Sequence, residues 1–203
     1  METSFLSILG LGLLLGVRHS LDADHLIAVS TIATRTRSSI KAWITGAFWG
    51  IGHSVTILLT GAIVLLIKVP IPEQLDAIFG WIVALLLIIL GLKTIRVSRN
   101  INNLFQDKTS LKKYHRRSFL IGLVHGLAGS AALLLLILNK VDNVSTGMLF
   151  LTLFGLGSII GMFLCAILFS IPIRVAKTEK IQKGILFSIG LLSTCFGISL
   201  FFL

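Results

Sequence analysis

The feature that most constrains the fold is a series of six apolar segments, each long enough to cross a membrane as a helix. About 20 mostly apolar residues span the hydrocarbon core of a bilayer. The predicted spans cover residues 4–33, 42–67, 75–95, 119–138, 146–171 and 181–203. Only 13% of the residues are charged, against about 25% in soluble domains, so the chain has too little polar surface for a soluble protein. We therefore predict an all-α, polytopic membrane helix bundle, a single transmembrane domain of residues 1–203.

The charges of the loops predict how these spans are oriented. Cytoplasmic loops carry an excess of Lys and Arg. Loop one (34–41) has three basic residues and no acid, loop three (93–117) has eight against one, and loop five (174–183) has four against one. Loop two (68–76) has one basic residue against two acids, and loop four (140–142) has one against one. We therefore expect the odd-numbered loops in the cytoplasm, both termini outside, and the protein in the cell membrane.

The net charge of +10 could also indicate a nucleic-acid partner. The basic residues lie in short loops between apolar segments, however, so we expect the lipid bilayer as a partner and no nucleic acid. A basic segment at residues 96–117 would also be attracted to the anionic cytoplasmic lipid surface. This predicted cytoplasmic loop separates two halves of three spans each, residues 1–95 and 118–203.

The two halves carry a faint internal repeat. Gly16–Leu21 aligns with Gly122–Leu127 at an offset of 106 residues, and one residue of slip pairs Gly50–Gly52 with Gly155–Gly157. Because three is an odd number, the halves would run in opposite directions through the membrane. Inverted repeats of this kind are typical of secondary transporters, which bind substrate where the halves meet. The identities are few, so a chance similarity between glycine-rich helices is the alternative.

A charged cluster at residues 18–25 interrupts the first span. It places Arg18, His19, Asp22, Asp24 and His25 within an apolar run, and ionisable residues inside a membrane are costly and usually functional. On a straight helix, with about 100° per residue, His19, Asp22 and His25 share one face, while Asp24 is free to pair with Arg18 or a neighbouring helix. If the helix breaks within the cluster, Asp24 becomes a candidate ligand. The structural alternative is an ion-pair network that only fixes helix packing.

Two further histidines lie within predicted spans: His53, between Gly52 and Ser54, and His125, among the glycines of residues 122–129. Each could instead form a hydrogen bond across a helix contact. His115 falls in the basic loop, where we expect a solvated side chain. Imidazole nitrogens with carboxylate oxygens suit nickel, cobalt, zinc and copper(II). The candidate metal-binding residues are His19, Asp22, Asp24, His25, His53 and His125.

The charged cluster closely resembles the signature of the nickel/cobalt transporter family, a His-x4-Asp-His motif within Arg-His-Ala-x-Asp-Ala-Asp-His-Ile. Residues 48–56, which include Gly52-His53-Ser54, resemble the second motif of that family on the next helix. The later Leu-Gly-x-Asp-Thr-Ala-Thr-Glu motif of its larger members is not found here. Residues 122–132 and 154–162 instead resemble the short, UreH-type branch found beside urease genes. The resemblance implies nickel permeation that serves urease.

We therefore predict a secondary transporter or permease that moves a divalent transition-metal ion, nickel or cobalt, through an intramembrane His/Asp site. We expect no enzymatic activity, no catalytic or cofactor-binding residues and no prosthetic group, with Ni²⁺ or Co²⁺ bound only as the transported ion. Histidine ligands must be deprotonated to bind a metal, and an ordinary histidine titrates near pH ~6.5. Uptake should therefore fall between about pH 7 and about pH 5.

Two other functions are compatible with the sequence. An intramembrane zinc hydrolase would use the same donors to activate water, although the chain has no His-Glu-x-x-His motif and no Glu within a predicted span. A non-transporting accessory protein for urease maturation would dock a partner on residues 96–117. The sequence leaves open the metal, the direction of transport, the coupling ion and the oligomeric state, a homo-oligomer included.

Overall fold

The computed structural model describes residues 2–35, 38–69, 71–101, 111–128 and 143–202. These residues form seven α-helices and no strand, which confirms the all-α prediction for this part of the chain. In chain order the helices are α1 (Glu2–His19), α2 (Ala23–Ala33), α3 (Ser39–Ile67), α4 (Glu73–Arg99), α5 (Leu111–His125), α6 (Val144–Val175) and α7 (Glu179–Ser199).

Four of these helices, α3, α4, α6 and α7, are long and apolar enough to cross a membrane. They match the second, third, fifth and sixth predicted spans to within four residues at each end. The agreement follows from the length of the apolar segments, although α4 continues past its apolar residues to Arg99 and α7 ends at Ser199, before its apolar segment ends. The fourth predicted span, 119–138, begins within α5, and its residues 129–138 lie outside the described residues.

The first predicted span is not one continuous helix. α1 ends at His19 and α2 begins at Ala23, and the amide of Asp22 donates to the carbonyl of His19 across the turn between them (3.0 Å). Asp22 precedes α2 in an extended conformation (φ −62°, ψ 149°), a position that Asp often takes. Asp24 in the first turn adds the negative charge that a helix N-terminus favours. The straight-helix arrangement of the charged cluster was therefore wrong, and the alternative with a break applies.

The two ends of the predicted basic loop are helical, because α4 continues to Arg99 and α5 begins at Leu111. His115 lies on α5, and its ring stacks on Phe48 of α3 with centroids 4.2 Å and planes 3° apart. The prediction of a solvated loop histidine was wrong. Its ring instead helps to pack the first part of α5 against α3.

The centre of the bundle is the long contact between α3 and α6, with α1 packed on α6 and α5 on α3. Glycines let these helices approach closely. A Cβ added to Gly16 of α1 would lie 2.9 Å from the amide nitrogen of Ser158 on α6. A Cβ added to Gly122 of α5 would lie 3.0 Å from the amide nitrogen of His53 on α3. Both distances are shorter than ordinary contacts, so these two helix pairs touch along their backbones.

The helices α4 and α7 form a second closely packed pair. The hydroxyl of Ser193 donates to the carbonyl of Leu87 (2.9 Å), and a Cβ on Gly190 would lie 2.8 Å from the carbonyl oxygen of Gly91. The outer faces of the pair expose large apolar side chains such as Trp81 and Leu192. Such faces suit contact with lipid tails, which are as apolar as leucine.

Candidate metal centre

Three helix ends meet beside the middle of α3. His53 lies 14 residues from each end of Ser39–Ile67 and is therefore its midpoint. α1 ends at His19, α5 ends at His125, and α2 begins two residues before His25. The C-terminal ends of α1 and α5 carry partial negative charge from their unpaired carbonyls. The N-terminal end of α2 carries partial positive charge, which Asp24 in its first turn offsets, so the two C-terminal ends leave a field that favours a cation at this point.

His19 connects the end of α1 to α3. Its Nδ1 lies 2.9 Å from Oδ2 of Asp22, and its Nε2 lies 3.2 Å from Nε2 of His53. An ionised carboxylate only accepts hydrogen bonds, so we assign the proton of neutral His19 to Nδ1, which leaves a lone pair on Nε2. Asp22 orients the ring in the way that carboxylates orient metal-binding histidines. The side chain of Asp22 is 55% exposed and that of His19 is 15% exposed.

Asp24 connects α2 to α5. Its Oδ1 accepts from Nδ1 of His25 (3.0 Å), and its Oδ2 accepts from Nε2 of His125 (2.9 Å). Both rings are fully buried, while the side chain of Asp24 is 29% exposed. The sequence offered two partners for this carboxylate, Arg18 or a neighbouring helix. Asp24 contacts His125 of the neighbouring helix α5, and Arg18 is exposed.

The buried rings present nitrogens that are ready for a metal. Within the described residues, His25 Nε2, His53 Nδ1 and His125 Nδ1 are buried without a hydrogen-bond partner. His25 donates its Nδ1–H to Asp24, and His125 donates its Nε2–H. In each neutral ring the nitrogen without a partner therefore carries the lone pair. A buried polar atom without a partner is costly, and a bound cation would satisfy it. Imidazole nitrogens with carboxylate oxygens fit the borderline divalent ions.

The candidate donors form two groups that share one histidine. The first group is His19, His25 and His53, and the second is Asp24, His25 and His125; in each group the ligand atoms lie within 4.8 Å of one another. These five residues and the exposed aspartate of the α1–α2 turn are the six that the sequence singled out. We call the six the metal centre. The structure places them together, and their action as ligands stays a prediction.

Two aromatic residues that the sequence analysis did not single out enclose the rings. Trp49 is fully buried, and its ring lies 5.7 Å from that of His25 and 5.3 Å from that of His125. Phe154 lies 5.3 Å from the ring of His19. Trp49 stands four residues before His53, and residues at that spacing share a helix face, so the spacing was an available signal. Both aromatic rings shield the metal centre from water.

Comparison with known proteins gives several matches that cover much of the chain. The model of the NicO family, described as high-affinity nickel-transport protein, matches residues 5–202. The urease accessory protein UreH of Bacillus sp. (strain TB-90) is 33% identical over 97% of this chain and 91% of its own length. The chloroplast protein FOR GROWTH AND FERTILITY 2 of Arabidopsis thaliana is 30% identical over 80% of this chain and 46% of its own. The high-affinity nickel transport protein of Cupriavidus necator is 34% identical over 34% of this chain and 21% of its own. No solved structure matches.

Proposed function

We propose, on the premise that this chain belongs to the NicO family of nickel-transport proteins, that it is a permease for a divalent transition-metal ion, nickel or cobalt. The observation that carries the proposal is the meeting of four histidines and two aspartates beside the midpoint of α3. Ionisable groups inside membrane helices mark ion pathways, and these donors suit nickel and cobalt. The family is a transport family and not an enzyme class, so we propose no catalytic step.

The proposal includes six spans in two inverted halves, residues 1–95 and 118–203, with both termini outside. In this arrangement α1 and α2 together form the first span, and α5 forms the beginning of the fourth. In each of these spans a helix ends at a histidine: α1 ends at His19 and α5 ends at His125. The two histidines are 106 residues apart, which is the offset of the internal repeat.

Reciprocal glycine contacts support the inverted repeat. Gly16 of α1 faces the carbonyl group of Phe154 on α6, and Gly122 of α5 faces the carbonyl group of Trp49 on α3. The two glycines are 106 residues apart and the two aromatic residues are 105 apart, which reproduces the one-residue slip of the alignment. Equivalent contacts at equivalent positions favour a repeat over a chance similarity between glycine-rich helices.

The outer pair of helices follows the same relation. A Cβ on Gly91 would lie 2.6 Å from the carbonyl oxygen of Gly190, and one on Gly197 would lie 2.8 Å from that of Ala84. Gly197 follows Gly91 by 106 residues, and Gly190 follows Ala84 by 106. A two-fold relation between the halves therefore exchanges the two contacts. Inverted repeats place their substrate where the halves meet, and the metal centre takes residues from both halves.

Each side chain of the metal centre has a role in this proposal. Asp22, the more exposed carboxylate, attracts the cation and holds the ring of His19. Asp24 offsets part of the positive charge of the ion and fixes which nitrogens of His25 and His125 carry protons. The imidazole lone pairs replace water molecules in the shell of the ion, as oxygen atoms do in ion channels.

Accumulation of labelled nickel in cells that express the protein tests the proposal. We expect the wild type to accumulate nickel above empty cells, and Asp24→Ala and His25→Ala to lose this uptake while still inserting in the membrane. His115→Ala is the matched control, because this histidine stacks on Phe48 outside the metal centre. Cobalt, zinc and manganese as competitors then rank the ions. Wild-type uptake equal to that of empty cells would refute import through this chain.

A role in urease maturation is the second candidate, because the relative of similar length is named a urease accessory protein. We propose that the chain serves urease by supplying nickel, and a non-transporting role through residues 96–117 is the alternative. Excess nickel in the medium should then restore urease activity in cells that lack the chain. If substitution of the basic residues within 96–117 by glutamine abolishes urease activation while nickel uptake persists, the accessory role is the correct one.

A further inference from the structure

We propose, building on the transport function above, that the ion occupies two adjoining positions in turn and passes between them on His25. The imidazole position consists of His19, His25 and His53. The carboxylate position consists of Asp24, His25 and His125. There the two rings bind the ion through the nitrogens that face Asp24, and each ring carries its proton on the other nitrogen. The metal centre is then a short relay and not one site with six ligands.

The distances between the rings support two positions. The ring of His25 lies 4.8 Å from that of His53 and 4.5 Å from that of His125, while the rings of His53 and His125 are 6.2 Å apart. Within the described residues, no group of close metal donors contains both His53 and His125. His25 is the member that both groups share, so it is the residue that can accompany an ion from one group to the other.

Exposure divides the metal centre in the same way. His25 is 1% exposed, whereas each position has a partly exposed carboxylate of its own. Asp22, 55% exposed, lies against His19 of the imidazole position, and Asp24, 29% exposed, belongs to the carboxylate position. An ion can therefore reach either position from a partly exposed carboxylate, and the rings of His25, His53 and His125 are the buried part of the path.

The proposed inverted repeat explains why the two positions differ. His19 and His125 are equivalent ends of α1 and α5, and each belongs to one position only. The residue equivalent to His53 in the second half, 105 residues later, is Ser158. Its hydroxyl donates to the carbonyl of Gly16 (3.2 Å) and so takes part in helix packing. The second half thus lacks a counterpart of His53, and Asp24 supplies the third donor of the carboxylate position.

Charge decides how many ions the metal centre holds at once. Two divalent cations that share the ring of His25 would repel each other strongly in a buried site. We therefore expect a single ion that alternates between the two positions. The two positions also differ chemically, since one offers three nitrogens and the other offers two nitrogens and a carboxylate.

Cobalt(II) titration of the purified protein in lipid nanodiscs tests the relay, because the visible absorption of Co²⁺ reports its ligands. His53→Gln alters only the imidazole position, His125→Gln alters only the carboxylate position, and His115→Gln is the matched control. We expect each single variant to bind one Co²⁺ with an affinity within about tenfold of the wild type, because one position stays intact. This loss of affinity is smaller than the roughly 10- to 100-fold that follows removal of a group that orients a ligand. The two spectra should differ from each other.

The double variant His53→Gln with His125→Gln should lose binding, and both single variants should lose nickel uptake because the relay is broken. Two single variants that lose binding as fully as the double variant would overturn the relay in favour of one shared site, and so would two identical spectra. Simultaneous binding of two ions by the wild type would overturn the alternation.

His53→Asn and His125→Asn repeat the comparison if a glutamine variant fails to form monodisperse nanodiscs. Absent nickel uptake by the wild type refutes the transport function, whereas the titration still decides between one position and two.

Discussion

Substitution of Gly16 by alanine should separate α1 from α6 and disable the metal centre without touching a metal donor. The added Cβ would lie 2.8 Å from the carbonyl carbon of Phe154 and 2.9 Å from the amide nitrogen of Ser158, where ordinary contacts begin at 3.4 Å. The contacting atoms belong to the backbone of a long helix and cannot turn aside. α1 must therefore move by at least 0.6 Å, the difference between 2.8 Å and 3.4 Å.

This displacement reaches the metal centre because Gly16 lies less than one helical turn before His19. His19 has to keep its position against His53, which α3 holds independently (Nε2 to Nε2 3.2 Å). Metal–ligand distances vary by only about 0.2 Å, so a shift of this size is not tolerated at a ligand. Overpacking of this kind costs about 1–3 kcal/mol. If that strain falls on the ion-bound state, metal affinity falls about 5- to 150-fold.

Gly10→Ala is the matched control on the same helix, because a Cβ at that position meets nothing within 4 Å. Alanine also favours a helix over glycine by about 1 kcal/mol, so this variant should keep wild-type stability or exceed it. Nickel uptake and thermal unfolding in detergent, measured side by side, check both expectations. Equal uptake by Gly16→Ala and Gly10→Ala would refute the argument that this helix contact positions His19.

The remaining predictions concern the carboxylates, pH and the outer helix pair. Asp24→Asn removes the charge that holds two buried rings, so Co²⁺ affinity measured by titration should fall about 10- to 100-fold. Asp22→Asn should lower the affinity less, because that carboxylate is 55% exposed. Equal losses of affinity would contradict this ranking. The initial rate of nickel uptake, at fixed free nickel, should fall as the medium is acidified, because protons compete with nickel for the histidine lone pairs; a rate that does not fall at any acidic pH at which the protein stays folded would argue against histidine ligands. Ser193→Ala removes the hydrogen bond to Leu87 and should lower the free energy of unfolding by about 0.6 kcal/mol; an unchanged value in a denaturant titration would show that the bond contributes nothing.

The membrane helices were predictable because the length of an apolar segment determines where a spanning helix begins and ends. The ends of α3, α4, α6 and α7 lie within four residues of the ends that this rule predicts. The resemblance to nickel transporters, read from residues 18–26 and 48–56, is confirmed by the family match over residues 5–202. Each of these two signals comes from residues that are close together along the chain, so neither requires knowledge of how distant segments pack.

The break between α1 and α2 was harder to predict, because a periodicity of 3.6 residues assumes a straight helix. A signal for it existed. Asp22 followed by Ala23 and Asp24 has the pattern of a helix N-terminus, with a capping residue and an acid in the first turn. Hydropathy concealed it, since apolar residues on both sides make residues 4–33 look like one long span. The break turns Asp24 away from the position that a straight helix would give it.

The contact of Asp24 with His125 lies beyond local patterns altogether, because the two residues are 101 positions apart. Periodicity can assign residues to a face of one helix, but it cannot say which helix that face meets. The alignment of the two halves carried the needed information in another form: it paired His125 with His19, and each of these histidines ends a helix. If the halves are inverted, two such ends must approach each other from opposite sides, and a carboxylate beside one histidine comes within reach of the other. Asp24 is that carboxylate, so the helix break and the proposed repeat together would account for a bridge that neither explains alone.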